Sequence, residues 1–284
     1  MVKVVRFHEF GGPEVLKVED INLQEPKSNE VLIENKCIGL NYIDTYHRSG
    51  LYPLELPSLL GLEAAGVIER IGNDVKEFKP GDRVVHTSAP VGSYSEKQIY
   101  PADKLVKIPD YISDEVAACI MLKGNTAEYL LHRTYPVKKG DRVLYHAAAG
   151  GLGQIFCQWA NALGCEVIGT VGSKEKEEIA KQNGCHHVIN YNENNFAEEI
   201  KKKFGENSID VVYDGVGETT YEGSFEVLKV RGMMVSFGNA SGPVKSIDVK
   251  KHIASKGLFF TRPSVAHYTM KREELVDATN RVFA

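Results

Sequence analysis

The stretch RVLYHAAAGGLGQIFCQWANALGCEVIGTVGSKEK, from Arg142 to Lys176, decides the fold. It opens with a short, largely apolar run containing a β-branched residue, which predicts a buried strand. A glycine turn follows, and apolar residues at helical spacing then predict a helix that ends at Gly164. The residues Glu166–Val171 predict the next strand. The stretch is therefore a strand–turn–helix–strand unit, the building block of a parallel sheet.

The glycine turn has the chemistry of a phosphate-binding site. Backbone N–H groups can approach an anion where side chains are missing, and the start of the helix adds partial positive charge. Gly150, Gly151, Leu152 and Gly153 are therefore predicted to bind the pyrophosphate of a dinucleotide. The run departs from the usual G-x-G-x-x-G pattern, and the alternative is a tight structural turn without a ligand.

The end of the second strand indicates which dinucleotide is bound. NAD sites usually place an acidic residue there for the ribose hydroxyls. This chain instead has Gly172, Ser173, Lys174 and Lys176, which offer a hydroxyl and two cations to a 2′-phosphate. The site therefore favours NADP(H). The alternative is that the lysines only solvate the start of a helix that also carries three glutamates.

Composition narrows the class of protein. The chain has 284 residues, a net charge of −4 and 25% charged residues, which is typical of a soluble enzyme and argues against a broad nucleic-acid surface. No run reaches the length of a membrane span, and the N-terminus lacks the core of a signal peptide. The five cysteines form no C-x-x-C pair, so we expect free thiols in a cytoplasmic protein without a membrane partner.

The chain changes character near residue 122. Short strands separated by glycine and proline turns fill the first part, which predicts a mostly-β, barrel-like fold. Alternating strands and helices follow, including a predicted helix over Asn125–Arg133. The later predicted strands are Arg142–Ala148, Glu166–Val171, His187–Asn190, Ile209–Asp214, Arg231–Phe237 and Leu258–Thr261. We therefore predict an α/β fold with a six-stranded, doubly wound parallel sheet.

Several motifs along the whole chain resemble one family. They are FGGPEVL (10–16), GLNYIDTY (39–46), RSGLYP (48–53), GLEAAG (61–66), KPGDRV (79–84), LKG (122–124), HAAAGGLG (146–153), VYDGVG (212–217), VSFGNASG (235–242) and TRP (261–263). Together they resemble the zinc-free NADPH:quinone oxidoreductases, the zeta-crystallin-like branch of the medium-chain dehydrogenase/reductase superfamily.

The resemblance implies a domain plan. Residues 1–122 would form a GroES-like catalytic domain and residues 123–264 a Rossmann domain that binds NADP. Residues 265–284 would begin a return to the first domain that is cut short at Ala284. Relatives of this kind are dimers or tetramers built through the edges of their Rossmann domains, so the resemblance also implies a homodimer.

The same resemblance implies that no metal is bound. Zinc-containing members of the superfamily have a cysteine ligand where this chain has Asn41, and a histidine where it has Leu62. An amide and an alkyl side chain cannot replace thiolate and imidazole on a tetrahedral zinc.

Site residues follow from the family pattern. Without a Lewis acid, hydrogen-bond donors must act on the oxygen of the acceptor, and Asn41, Tyr46 and Tyr52 are the predicted catalytic residues. The alternative is that these residues only bind the cofactor and that solvent delivers the proton. Besides the residues of the glycine turn and of the second strand's end, the predicted cofactor contacts are Asn41, Tyr42, Asp44, Thr45, Thr126, Tyr129, Tyr191, Val216, Phe237, Gly238, Asn239, Ala240 and Arg262.

The resulting prediction is NADPH-dependent reduction of a quinone by hydride transfer, without a metal. One alternative is reduction of the activated carbon–carbon double bond of an enone or alkenal, because both acceptors take a hydride at a conjugated system. The other is a non-catalytic, crystallin-like protein that binds NADPH.

Overall fold

Antiparallel sheets organise one part of the chain and a parallel sheet the other. The computed structural model describes all 284 residues and divides them into two units. The first unit comprises Met1–Leu122 and Tyr268–Ala284, and the second comprises Lys123–His267. No helix is both long enough and apolar enough to cross a lipid bilayer.

The first unit is mostly β-structure, as predicted. Its three-stranded sheet has the order β2-β1-β4 and its five-stranded sheet the order β7-β3-β5-β6-β8, with antiparallel pairing throughout. The strands are β1 (Val2–Phe7), β2 (Lys17–Ile21), β3 (Glu30–Gly39), β4 (Ser58–Leu59), β5 (Glu63–Ile71), β6 (Arg83–His86), β7 (Lys97–Pro101) and β8 (Val106–Lys107). Alternate residues of β3, such as Val31 and Ile33, point into a core with Ile68 and Tyr100.

A short helix, α1 (Tyr42–Ser49), follows β3 and has no counterpart among the predicted elements. Asn41 precedes it in an extended conformation, and Gly50 ends it with a left-handed φ of 81°. Two 3₁₀ turns, Pro13–Val15 and Ala102–Lys104, complete the local structure. The last helix, α8 (Arg272–Phe283), buries Leu275 and Phe283 in the apolar cluster that also contains Val85 and Met121.

The sequence predicts a capped helix beginning over Ser113–Met121, and the observed helix α2 (Asp114–Tyr129) extends further. Ser113 accepts the Val116 N–H at its start, and Asp114 and Glu115 lie in its first turn, which suits the positive end of the helix. The predicted helix over 125–133 is instead the end of α2 followed by a π-helical turn, Leu130–Thr134. The Tyr213 hydroxyl donates to the Leu130 carbonyl at 3.0 Å, which holds this turn against the sheet of the second unit.

The second unit contains the predicted six-stranded parallel sheet. Its strand order is β11-β10-β9-β12-β13-β14, the order of a classical dinucleotide-binding fold. The strands are β9 (Arg142–His146), β10 (Glu166–Val171), β11 (His187–Asn190), β12 (Ile209–Asp214), β13 (Leu228–Ser236) and β14 (Phe259–Thr261). Strand β13 begins three residues earlier than predicted, because Leu228 is already paired with Ile209.

Helices cover the sheet and close its core. They are α3 (Gly151–Ala162), α4 (Lys174–Gln182), α5 (Phe196–Phe204) and α6 (Tyr221–Val227), with a π-helical segment at Val249–Ala254. The short helix α7 (Val265–Tyr268) follows β14. Leu144, Ile168, Val212 and Met234 of the sheet are fully buried in one cluster. The side chains in the interior of such a sheet are apolar, and its functional groups lie at the ends of the strands.

Candidate functional site

The carboxyl ends of the six parallel strands collect the predicted cofactor residues of the second unit. Parallel strands end at the same edge of their sheet, and ligands of open α/β sheets bind there. The residues that follow the strands, in chain order, are Gly150–Gly153, Gly172–Lys176, Tyr191, Val216, Phe237–Ala240 and Arg262.

The glycine turn joins β9 to α3 directly. Gly150 caps α3 without a side chain, so the first N–H groups of this 12-residue helix are not capped by a side chain. A Cβ added to Gly150 would meet only the Ala147 carbonyl oxygen, at 3.1 Å. A Cβ on Gly153 would lie 2.5 and 2.6 Å from the carbonyl oxygens of Ala148 and Ala147. The third glycine therefore allows the helix to pack on the strand, whereas Gly150 leaves space over the turn.

The end of β10 is followed by two lysines, and neither lies within ion-pair distance of a carboxylate. The Ser173 Oγ accepts the Lys176 N–H at 3.4 Å and caps α4. Its hydrogen bond also lowers the pKa of the exposed Glu175 carboxyl. Glu177 and Glu178 lie beside Lys181 instead, at 3.9 and 2.9 Å. Neither Lys174 nor Lys176 forms an ion pair, which argues against the view that they only balance the glutamates of this helix.

Tyr191 lies against the tip of β10. A Cβ on Gly172 would come within 2.5 Å of the Tyr191 hydroxyl oxygen, so only glycine allows the ring to lie there. The Asn192 amide donates to the Gly172 carbonyl at 2.7 Å and ties the two strand ends together. The side chain of Tyr191 is 49% exposed, so its ring offers a surface on which a flat group can stack.

The loops after β12 and β13 are joined by backbone hydrogen bonds. The N–H groups of Phe237, Ala240 and Ser241 donate to the carbonyls of Asp214, Gly215 and Val216, respectively. A Cβ on Gly238 would overlap the Gly215 carbonyl oxygen. The structure thus brings Val216 together with the predicted segment Phe237–Ala240. Phe237 also packs near Tyr145, with ring centroids 5.9 Å apart.

A buried polar chain behind these loops has no counterpart among the predicted residues. The Asp214 carboxylate accepts the N–H groups of Val216 and Gly217 at 2.7 and 3.0 Å, and the Thr220 hydroxyl at 2.8 Å. Ser224 donates its hydroxyl to the Thr220 carbonyl, so it accepts from His146 Nε2.

This chain of hydrogen bonds sets the tautomer of His146. Because Nε2 carries the hydrogen, Nδ1 accepts from the Thr170 hydroxyl at 2.9 Å. Burial lowers the pKa of His146, which keeps the ring neutral. The motifs HAAAGG and VYDGVG of the sequence therefore meet through hydrogen bonds that fix the loops of the candidate site.

The remaining predicted residues of the second unit lie on α2 and after β14. Thr126 and Tyr129 are three residues apart and therefore share one face of the helix. Tyr129 is 2% exposed, so any contact with a cofactor would involve a small part of its ring. Arg262 is exposed, and its guanidinium donates to the Pro263 carbonyl at 3.3 Å.

In the first unit, Asn41, Tyr42, Asp44 and Thr45 lie at the start of α1. Asp44 is buried, and its carboxylate accepts the Asn41 N–H at 2.9 Å and the Tyr94 hydroxyl at 2.8 Å. Burial and the nearby Asp44 carboxylate raise the pKa of Tyr94 well above its usual value. The Thr45 hydroxyl donates to the Tyr42 carbonyl at 2.6 Å. Asp44 thus shapes the segment, because its Oδ2 accepts from both the Asn41 backbone and the Tyr94 side chain.

Three tyrosines form one aromatic cluster beside this helix start. The ring centroids of Tyr42 and Tyr46 are 5.4 Å apart, and those of Tyr46 and Tyr52 are 5.1 Å apart, both in edge-to-face arrangement. The Tyr52 N–H donates to the Tyr46 carbonyl at 3.1 Å, which holds the pair in register. The structure therefore brings together the predicted catalytic tyrosines and the predicted cofactor residue Tyr42.

Asn41 is held by a carboxylate that sequence reasoning missed as a site residue. Its Nδ2 donates to Glu63 Oε2 at 2.7 Å, and Glu63 is fully buried. The neighbouring Leu62 is buried, and its carbonyl accepts from His86 Nδ1 at 3.2 Å. Burial lowers the pKa of His86 to about 4. The two positions where zinc-containing relatives carry ligands thus hold an amide turned to a carboxylate and an alkyl side chain.

Comparisons with known proteins agree with this architecture. Residues 27–110 match the family described as alcohol dehydrogenase GroES-like domain, and residues 151–282 match the family described as zinc-binding dehydrogenase. The chain is 48% identical to the quinone oxidoreductase of Salmonella typhimurium LT2 over 100% of this chain and 87% of that protein. It is 44% identical to the 2-haloacrylate reductase of a Burkholderia species, with the same coverage of both.

A solved structure of a quinone oxidoreductase is also similar to this chain. The crystal structure of Escherichia coli quinone oxidoreductase complexed with NADPH superimposes with a TM-score of 0.97 at 47% identity, over 99% of this chain and 86% of that one. The GroES-like and Rossmann folds define a medium-chain dehydrogenase/reductase. Within that superfamily, the chain belongs to the quinone oxidoreductase family, as the sequence motifs predicted.

Proposed function

We propose that this protein is an NADPH-dependent quinone reductase. The observation that carries the proposal is the carboxyl edge of the parallel sheet, where the glycine turn and two lysines that form no ion pair, Lys174 and Lys176, follow neighbouring strands. This arrangement fits a dinucleotide that carries an additional phosphate. The relative from E. coli, which was solved with NADPH, supports the same choice of cofactor.

The residues of the second unit would bind and orient the cofactor. The first N–H groups of α3 would hold the pyrophosphate, Ser173 and Lys176 the 2′-phosphate, and Tyr191 the adenine face. The segment Phe237–Ala240, fixed by its hydrogen bonds to the loop after β12, would line the remainder of the cofactor. We propose residues 123–264 as the cofactor-binding domain on this basis.

The residues of the first unit would act on the acceptor. NADPH, when bound, supplies the hydride, and the acceptor oxygen that gains negative charge needs hydrogen-bond donors. Asn41 offers an amide, and Tyr46 and Tyr52 offer phenol hydroxyls. We propose these three as the catalytic donors, and residues 1–122 as the catalytic domain, to which the chain returns in residues 265–284.

We further propose that the reaction uses no metal. In this proposal the Asn41 amide directs a hydrogen to Glu63, and Leu62 has no ligand atom. Amide N–H groups and alkyl side chains do not bind zinc. A dialysed preparation should keep its activity in a strong chelator, and stoichiometric zinc in elemental analysis would contradict the proposal.

The test of the function is an acceptor screen. Purified protein is mixed with NADPH and a series of quinones, enones and 2-haloacrylate, and oxidation of NADPH is followed by absorbance. A quinone reductase turns over quinones with the highest kcat/KM. Preference for the enone or the haloacrylate would favour the double-bond reductase that the Burkholderia relative suggests. Tight NADPH binding without turnover of any acceptor would favour the non-catalytic, crystallin-like alternative.

The edge strand β14 supports a homodimer. It is paired on one side only, and Phe259 and Phe260 are 57% and 39% exposed. Edge strands with exposed aromatic side chains are suited to pairing with another chain. We propose that two copies associate through this strand. Sedimentation measurements that compare the wild type with Phe259→Lys would test the dimer.

All five cysteines are free thiols, which supports the proposed cytoplasmic location, and cell fractionation would test that location.

A further inference from the structure

Glu63 joins the start of the Asn41 segment to the helix α2. It is the first residue of β5 and is fully buried. One carboxylate oxygen, Oε2, accepts from Asn41 Nδ2 at 2.7 Å, and the other, Oε1, accepts from the Leu122 N–H at 2.6 Å. Burying a carboxylate is costly, and such hydrogen bonds to the charged form offset the cost. The chain therefore maintains this contact against a substantial desolvation penalty.

The chemistry of this contact fixes the direction of an amide. An ionised carboxylate only accepts hydrogen bonds, whereas an asparagine side chain has a donating end and an accepting end. Glu63 therefore admits only the NH₂ end of Asn41, and Oδ1 must lie on the other side of the group. The backbone N–H of Asn41 is held separately by Asp44. Glu63 thus sets the rotation of the Asn41 side chain, and Asp44 holds the Asn41 backbone.

We propose that Glu63 is a positioning residue for the reaction, acting through Asn41. It presents the Asn41 amide to the cofactor and acceptor in a single orientation and contacts neither of them. This inference rests on the proposed function, because it assigns Glu63 a role only if Asn41 acts in the site.

The substitution Glu63→Gln separates the two hydrogen bonds of the carboxylate. A glutamine has the same size but only one accepting end. Both partners, Asn41 Nδ2 and the Leu122 N–H, are donors. If the glutamine oxygen keeps Leu122, its NH₂ group faces Asn41, and the Asn41 amide must rotate by half a turn to accept it. The substitution therefore reverses the Asn41 amide and retains the contact with α2.

A double-mutant cycle tests the proposal with Glu63→Gln, Asn41→Ala and the combination of both. Glu63→Gln should lower kcat/KM for the quinone by about tenfold or more, the range for a hydrogen bond to a charged group. In the Asn41→Ala background the same change should add less than about twofold, because coupled residues are not additive. Glu69→Gln is the matched control on the same strand, since Glu69 pairs with Lys97, and it should leave kcat/KM within about twofold.

A second readout does not depend on turnover. Asn41→Asp alone would place two carboxylates together and lower the melting temperature, whereas Asn41→Asp with Glu63→Gln restores a donor and an acceptor. The second change should therefore recover most of the lost melting temperature, and the NADPH dissociation constant of each variant is measured by cofactor fluorescence.

Two outcomes would overturn the role of Glu63 in an active wild-type protein. One is independent, multiplicative effects of Glu63→Gln and Asn41→Ala on kcat/KM, and the other is absence of rescue in the Asn41→Asp background. A wild-type protein that neither binds NADPH nor reduces a quinone would overturn the proposed function instead.

Discussion

Substitutions in the glycine turn can separate an effect on cofactor binding from an effect on protein stability. Gly151 and Gly153 are two residues apart in the first turn of α3, and we expect Gly→Ala at each to have opposite effects. A Cβ on Gly151 meets only the flexible end of the Lys123 side chain, with Cε at 3.1 Å and Cδ at 3.4 Å. A Cβ on Gly153 meets backbone carbonyl oxygens at 2.5 and 2.6 Å.

The distances determine the expected magnitudes. A side chain forced against backbone costs about 1–3 kcal/mol. Alanine in a helix recovers at most about 1 kcal/mol relative to glycine. Gly153→Ala should therefore destabilise the protein by about 1–2 kcal/mol, which lowers the melting temperature by roughly 3–8 °C for a unit of this size. Gly151→Ala should change the free energy of unfolding by less than about 0.5 kcal/mol.

Cofactor affinity should show the reverse pattern. The methyl group of Gly151→Ala would occupy the space through which the proposed pyrophosphate approaches the backbone, so the NADPH dissociation constant should rise by about tenfold or more. Melting curves of the apoprotein and fluorescence titrations with NADPH measure the two effects. Wild-type NADPH affinity in folded Gly151→Ala would refute the reasoning for the turn, and wild-type stability of Gly153→Ala would refute the packing argument.

Three further predictions follow from other parts of the structure. Lys176→Ala should weaken NADPH binding by about tenfold and leave NADH unchanged, whereas the ion-paired Lys181→Ala should affect neither cofactor; equal loss of both cofactors would contradict this. The free energy of unfolding should fall by up to about 3 kcal/mol between pH 6.5 and pH 4. The reason is that His86 takes up a proton at higher pH in the unfolded chain than in the folded protein, where its pKa is about 4. The substitution His86→Gln should make the free energy of unfolding less dependent on pH in this range. If Lys176 binds the 2′-phosphate as proposed, the preference for NADPH over NADH should decrease as the salt concentration rises. A ratio of the NADPH and NADH dissociation constants that does not change with salt would argue against this role of Lys176.

The parallel sheet was predictable because its signals are local. Each strand–turn–helix unit, such as Arg142 to Lys176, carries its own apolar periodicity and glycine turn. Strands β10, β11 and β12 have the predicted bounds, Glu166–Val171, His187–Asn190 and Ile209–Asp214. Elements whose limits depend on distant partners were less accurate, as with β13, whose first residue is paired with β12. The short helix α1 was missed because its start is stabilised by Asp44 and the distant Tyr94 rather than by an apolar repeat.

The candidate site also contains some features that the sequence could predict and others that it could not. Residues after the parallel strands could be named from sequence, because strand ends are readable and topology places them at one edge. The contacts that fix the geometry of these residues could not be predicted from sequence. Asp214, Ser224 and His146, for example, belong to one chain of hydrogen bonds that connects three separate elements. Gly172 beside Tyr191 is a similar case, because nothing in a single sequence reports that a ring lies against that glycine.

Glu63 shows why such contacts matter for function. The motif GLEAAG was informative at Leu62, where the sequence has an alkyl side chain and no metal-binding atom, yet the adjacent glutamate carried no local signal. In the fold its carboxylate reaches Asn41, 22 residues away, and Leu122, 59 residues away. A zinc ion would fix surrounding groups by coordination, whereas here a buried carboxylate would fix one amide by hydrogen bonding. If the amide acts on the acceptor, its orientation must be set before the reaction, because a dipole that has to reorient contributes less to stabilising developing charge. The double-mutant cycle at Glu63 and Asn41 measures that contribution directly.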